Sequence, residues 1–136
     1  MKTHTTNYQN TFIAIAEDCP TSIGEIPPAK AVRTVASIQF EMIVKHPYKY
    51  TSDDVLFQVF AEKNDLTKAE HNKARAEFFS KGQPCFRASP LTKRYGWGVH
   101  HNEEGKIALF SAESTEYKKL SKDKHLTVVK AMKSSR

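Results

Sequence analysis

The spacing of apolar and polar positions marks out the elements in turn. Thr11 to Ala16 (TFIAIA) alternates partly and is β-branched, which predicts a strand ended by Glu17-Asp18-Cys19-Pro20. Pro20 to Pro28 contains Gly24, Pro27 and Pro28 and reads as a loop, with Pro28 suited to the first turn of a following helix. Val35, Ile38, Met42 and Ile43 recur at helical spacing, and His46-Pro47 stops that helix because the residue before a proline is pushed out of the α region. Thr51-Ser52-Asp53-Asp54 offers a hydroxyl cap and first-turn carboxylates. It predicts a helix that turns Val55, Leu56, Val59 and Phe60 inward and ends near Asn64. A strand competes here, since the run is rich in β-branched and aromatic residues.

The second half reads in the same way. Thr67-Lys68-Ala69-Glu70 has the form of a capping box and predicts a helix to about Ser80, with Gly82 near its end. Ser89-Pro90 forms an N-cap and N1 pair for a short helical turn that stops at Gly96. Trp97 to His101 and Lys106 to Ser111 flank Asn102-Glu103-Glu104-Gly105, which predicts a hairpin with Gly105 in the left-handed position of a turn plus bulge. A symmetric register puts Trp97, Val99 and His101 on one face with Lys106, Ala108 and Phe110. Gly98 and His100 then share the other face with Ile107 and Leu109. Ser114-Thr115-Glu116 starts another short helix, and Leu126, Val128, Lys130 and Met132 alternate as a last strand. Strands and helices mix without regular βαβ alternation. The fold class expected over residues 1–136 is therefore a single α+β domain, an antiparallel sheet with helices mainly on one face.

Length and charge narrow the function classes. A chain of 136 residues is long enough to bury about two thirds of its unfolded surface without covalent staples. No apolar run approaches the roughly 20 residues that span a bilayer, and MKTHTTNYQN lacks the apolar core of a signal peptide. The expected location is the cytoplasm, away from any membrane partner, with Cys19 and Cys85 as free thiols. The net charge of +6 is a property of residues 118–136. There, Lys118, Lys119, Lys122, Lys124, Lys130, Lys133 and Arg136 stand against Asp123 alone, and the rest of the chain is balanced. Such an end either attracts nucleic acid weakly and in a salt-dependent way or is a solvated surface.

Candidate chemistry concentrates between Gly82 and Lys106 (GQPCFRASPLTKRYGWGVHHNEEGK). Cys85 with His100 as base is a candidate catalytic pair. The C-x5-R phosphatase loop is struck out, because Leu91 stands where its arginine would be. His100 and His101 are neighbours on a strand and point to opposite faces, so they do not ligate one metal together. With no CxxC pair and no HExxH, no metal site is expected. There is no GxxxxGK and no GxGxxG either. What survives is a ligand-binding set of Arg87, Ser89, Lys93, Arg94, Tyr95 and Trp97. Its guanidinium groups would grip a phosphate or carboxylate, and its rings would stack on the organic part. The competing reading is a structural crossover, with Arg87 paired to Glu103 or Glu104 and Trp97 in the core.

Several segments carry a resemblance: NTFIAIAEDCP, GEIPP, HPYKYTSDDVLF and FFSKGQPCFRASPLTKRYGWGVHHNEEGKIAL. Together they resemble a family of small, mostly bacterial proteins known only as a domain of unknown function, number 6157. The resemblance implies a small self-contained cytoplasmic domain and carries no activity, cofactor or site residue with it. The leading expectation is therefore a domain that binds an anionic small molecule. An enzyme using Cys85 and His100, and a nucleic-acid-binding module using the basic end, are the alternatives.

Overall fold

A computed structural model describes residues 3–134. Strand β1 (Thr11–Ala14) is followed by helices α1 (Val35–Lys45), α2 (Ser52–Lys63) and α3 (His71–Phe78). Next come the short helix α4 (Pro90–Lys93) and strands β2 (Trp97–His101) and β3 (Ile107–Ser111). Helix α5 (Thr115–Ser121) and strand β4 (Thr127–Lys130) complete the order. The strands form one four-stranded sheet in the order β3-β2-β1-β4. The fold class is α+β. Pairing is antiparallel except between β1 and β4, which run parallel. No described helix is long and apolar enough to cross a membrane.

Local capping explains most boundaries. Thr34 caps α1 by accepting the Ser37 amide at 3.1 Å, so the helix starts at Val35 and Pro28 stays in the loop before it. Thr51 and Asp54 form a capping box at the start of α2, with bonds of 3.0 and 3.2 Å, and this fixes the segment as helix rather than strand. Val55 and Val59 are buried on α2 as expected. Phe57 is buried too, whereas Leu56 and Phe60 are only half-buried. Glu70 reaches back to the Thr67 amide at 2.9 Å, opening a 3-10 turn that leads into α3. Ser89 caps α4 and Ser114 caps α5.

The hairpin register differs from the symmetric one. His101 pairs with Ile107 and Val99 with Leu109, so Lys106 belongs to the loop. The Asn102 side chain accepts the Lys106 amide at 2.9 Å, and Gly105 takes φ +80. That extra loop residue shifts every partner by one, as a bulge does. Trp97, Val99 and His101 therefore share a face with Ile107 and Leu109, while Gly98 and His100 share the other with Ala108 and Phe110.

The two sheet faces are covered differently. Ile13, Val99 and Ile107 pack against Ala36 and Ile43 of α1, Val55 of α2, and Phe86 and Leu91 around α4. On the other face Phe12 meets Tyr117 of α5 edge-on, with ring centroids 5.0 Å apart. Gly98 lies beneath them, where a Cβ would fall 2.4 Å from the Phe12 ring. Helices thus pack mainly on one face, with α5 on the other. In β4, Val129 turns inward and Val128 is exposed, as is Met132 beyond the strand. Of the basic end, Lys118 and Lys119 lie in α5 and Lys130 in β4. Lys130 and Lys133 pair with Glu17 at 3.0 and 3.2 Å, and Arg136 lies outside the described residues.

The N-terminal segment is fastened across the helices. Asp53 is nearly buried, and its carboxylate accepts the Thr5 hydroxyl at 2.6 Å, the Thr6 amide at 2.7 Å and the Thr6 hydroxyl at 2.7 Å. Hydrogen bonds to a charged group are worth more than neutral ones. We expect Asp53→Ala to lower stability by about 2–4 kcal/mol in urea unfolding. A loss below about 0.5 kcal/mol would show that the segment is not held by this carboxylate.

Candidate functional site

The six ligand-set residues lie close in sequence and do not converge in space. Arg87 is exposed, and its Nε donates to the Lys130 carbonyl at 2.8 Å, so its partner is strand β4 rather than Glu103 or Glu104. Ser89 is buried. Its hydroxyl donates to Gln39 Oε1 at 2.6 Å and accepts the Leu91 amide at 3.1 Å. Lys93 is half-buried and Arg94 exposed. Tyr95 packs at the edge of the core. Trp97 sits under the loop before α1, where its Nε1 donates to the Glu25 carbonyl at 2.8 Å and its ring lies 5.3 Å from that of Phe40. A one-turn helix followed by a strand sends successive side chains in different directions.

Cys85 and His100 are also apart. His100 points to the α5 face, whereas Cys85 lies on the face of α1 and α2. His100 Nδ1 is 2.8 Å from the Tyr48 hydroxyl, and burial holds its ring below the ordinary histidine range against a smaller opposing pull from Asp123. Tyr48 adopts φ 60, a left-handed conformation unusual for a bulky residue. Its amide donates to the Ile107 carbonyl at 2.8 Å, which holds it there.

The group beside the thiol is Tyr8, whose hydroxyl is 3.3 Å from Cys85 Sγ. Its hydroxyl pKa is raised, first by the hydrogen bond with Cys85 and then by burial, so the phenol keeps its proton. The Arg87 backbone N–H also donates to Sγ, at 3.5 Å. The other side of the Tyr8 ring meets His101 edge-on at 5.3 Å. His101 is 0 % exposed, and among the described residues neither ring nitrogen has a partner in hydrogen-bonding geometry. Desolvation lowers its pKa to about 4, and the nearby backbone of Val99 and Thr11 offsets this only in part.

Cys85 lines a groove of about 400 Å³, a volume suited to a small ligand. Val35 and Gln39 of α1 form one wall, and Leu56, Val59 and Phe60 of α2 form another. The segment 83–90 closes the groove, with Gln83 Nε2 bonded to the Phe78 carbonyl at 2.8 Å. Of the ligand set only Ser89 lines it. Its lining includes one cation, Lys63, and no carboxylate. Gln39 is its polar centre. The residue is 2 % exposed, and its Oε1 is taken by Ser89. Among the described residues no acceptor meets its Nε2, an atom that stays reachable from the groove rather than sealed in the core. Sequence reasoning missed Gln39 and Tyr8. Gln39 carried a signal, because it stands four residues from both Val35 and Ile43, a polar residue on the apolar stripe of α1. Tyr8, a lone aromatic in a polar segment, carried none.

Two other clefts hold less usable chemistry. One, beside the groove, is open and lined by Glu70, Lys73, Glu77 and Lys81, whose charges are mixed. The other contains Arg33 and Arg75, which are already paired with Glu62 and Asp54, each at 2.9 Å. No group of three metal-ligating side chains occurs among the described residues.

The chain belongs to the family of unknown function DUF6157, whose model matches residues 3–136. No curated protein and no solved structure matches it.

Proposed function

We propose that the protein binds a small molecule with an apolar body and an anionic, hydrogen-bond-accepting head, in the groove between α1, α2 and segment 83–90. The observation that carries this reading is the Gln39 amide donor, which belongs to a residue 2 % exposed, has no protein acceptor among the described residues and opens on a largely apolar groove. A ligand carbonyl or carboxylate would exchange the donor's contact with water for a direct hydrogen bond, a net gain of about 0.5–1.5 kcal/mol, or about 1.5–3 kcal/mol to a charged head. Among the described lining residues Lys63, whose Nζ also donates to the Arg33 carbonyl, is the one cation and no carboxylate occurs, which favours a negative head over a positive one. The free thiols fit a cytoplasmic setting.

Calorimetry with decanoate and acetate tests the reading. Decanoate is expected to saturate a single site and acetate to bind negligibly. Gln39→Leu should weaken decanoate by about tenfold, the equivalent of one lost hydrogen bond. Ala88→Trp, which fills the groove, should abolish binding, whereas Arg94→Ala should leave it unchanged. A folded Ala88→Trp protein that binds decanoate as tightly as wild type would move the ligand elsewhere.

A further inference from the structure

We infer that Cys85 is an acyl acceptor: the groove seats the acyl chain of a thioester and brings its carbonyl carbon to the Cys85 sulfur. This rests on the groove reading and adds a reaction to it. Three features of one cavity meet the needs of the step. Apolar walls from Val35, Leu56, Val59 and Phe60 suit an alkyl chain. The unpartnered Gln39 Nε2 supplies a donor for the carbonyl oxygen, where negative charge gathers as the sulfur attacks. Cys85 lines the same cavity, and its Sγ accepts the Arg87 N–H at 3.5 Å and lies 3.3 Å from the Tyr8 hydroxyl, two groups outside the groove lining. Both would hold the sulfur in position for attack. Cys19, the other free thiol, does not line the groove.

The step balances without an added oxidant or reductant. A bond forms from Cys85 Sγ to the acyl carbon, and the carbon–sulfur bond of the donor thioester breaks. The electron pair leaves on the donor sulfur, which takes the proton that Cys85 gives up. One thioester replaces another, so the exchange is close to neutral in free energy and the groove's hold on the chain sets its direction. The Tyr8 phenol keeps its proton and acts as a donor to sulfur rather than as a base.

The test is to incubate the full chain with decanoyl-coenzyme A or acetyl-coenzyme A and to follow intact mass with peptide mapping. The expected product is one decanoyl adduct on Cys85, removed by neutral hydroxylamine and absent from Cys85→Ala. It should form about a hundredfold more slowly in Gln39→Leu, as expected for loss of one donor to the carbonyl oxygen. Acetyl transfer should be slower by at least as much. An adduct on Cys19 or on lysines, equal rates for the two donors, or no adduct in the folded protein would overturn the inference. Decanoate calorimetry on Cys85→Ala separates the two claims. Binding retained there leaves the groove reading standing even when transfer fails, and binding absent from both Cys85→Ala and wild type removes the groove reading itself.

Discussion

Stability is expected to fall by about 3 kcal/mol on account of His101 as pH drops from 6.5 to below 4, and His101→Leu should remove that fall. The unfolded imidazole titrates near 6.5, whereas the folded one is pushed down to about 4 because protonation would bury a charge. Between those values the unfolded state binds more protons. The stabilising contribution is thus complete above pH 6.5 and is lost as pH falls through the folded value. Exposed carboxylates, such as Glu17 with its two lysines, also lose their pairing in acid, so the wild-type curve alone is not diagnostic. The difference between wild type and His101→Leu isolates the imidazole. Near pH 7 the two should differ by less than about 1 kcal/mol, since an apolar side chain of similar volume removes two buried polar atoms without partners. Urea unfolding at pH 4.5 and pH 7 reads the difference, and parallel pH dependences would show that His101 finds partners for its protons.

Phe86→Ala should be the most damaging single truncation around the groove, lowering stability by about 3–5 kcal/mol. Phe86 is 0 % exposed and sits in the core cluster with Leu91, Val55 and Val99. It is also the anchor of the turn that carries Cys85, Arg87 and Ala88. The loss would take a large part of the roughly 5–15 kcal/mol that holds a domain of this size together. Because the groove's closing segment hangs on this ring, ligand binding should weaken even at temperatures where the variant remains folded. Chemical unfolding measures the first effect and calorimetry with decanoate the second. A loss under about 1 kcal/mol would mean that the segment is held by its backbone bonds instead.

The parts of the fold that were legible in the sequence are those decided locally. Thr51 with Asp54, Thr67 with Glu70, and the caps Ser89 and Ser114 each act within one turn, so spacing alone reveals them. The hairpin was legible as well. Its register was not, because the Asn102 side chain competes with the strand for the Lys106 amide, a choice that periodicity does not record. The parallel pairing of β4 with β1 joins the two ends of the chain, and local pattern says nothing about such a partner. The candidate site shows the same division. Cys85 and Ser89 were visible as chemistry-bearing residues and do line the groove, yet its polar centre, Gln39, comes from α1 and its apolar wall from α2. Only tertiary packing brings those segments together. The basic and aromatic residues from Arg87 to Trp97 drew attention by crowding along the chain, and the fold spreads them between a β4 carbonyl, solvent and the underside of a loop.

Whether the Gln39 amide takes a ligand acceptor inside the groove is read most directly by an ¹H–¹⁵N titration with decanoate. The expected result is a saturable downfield shift of the Gln39 side-chain N–H signals, joined by backbone shifts at Val35, Val59 and Cys85 and little change at Arg94. Shifts confined to other surfaces, with the Gln39 side chain unmoved at saturation, would contradict it.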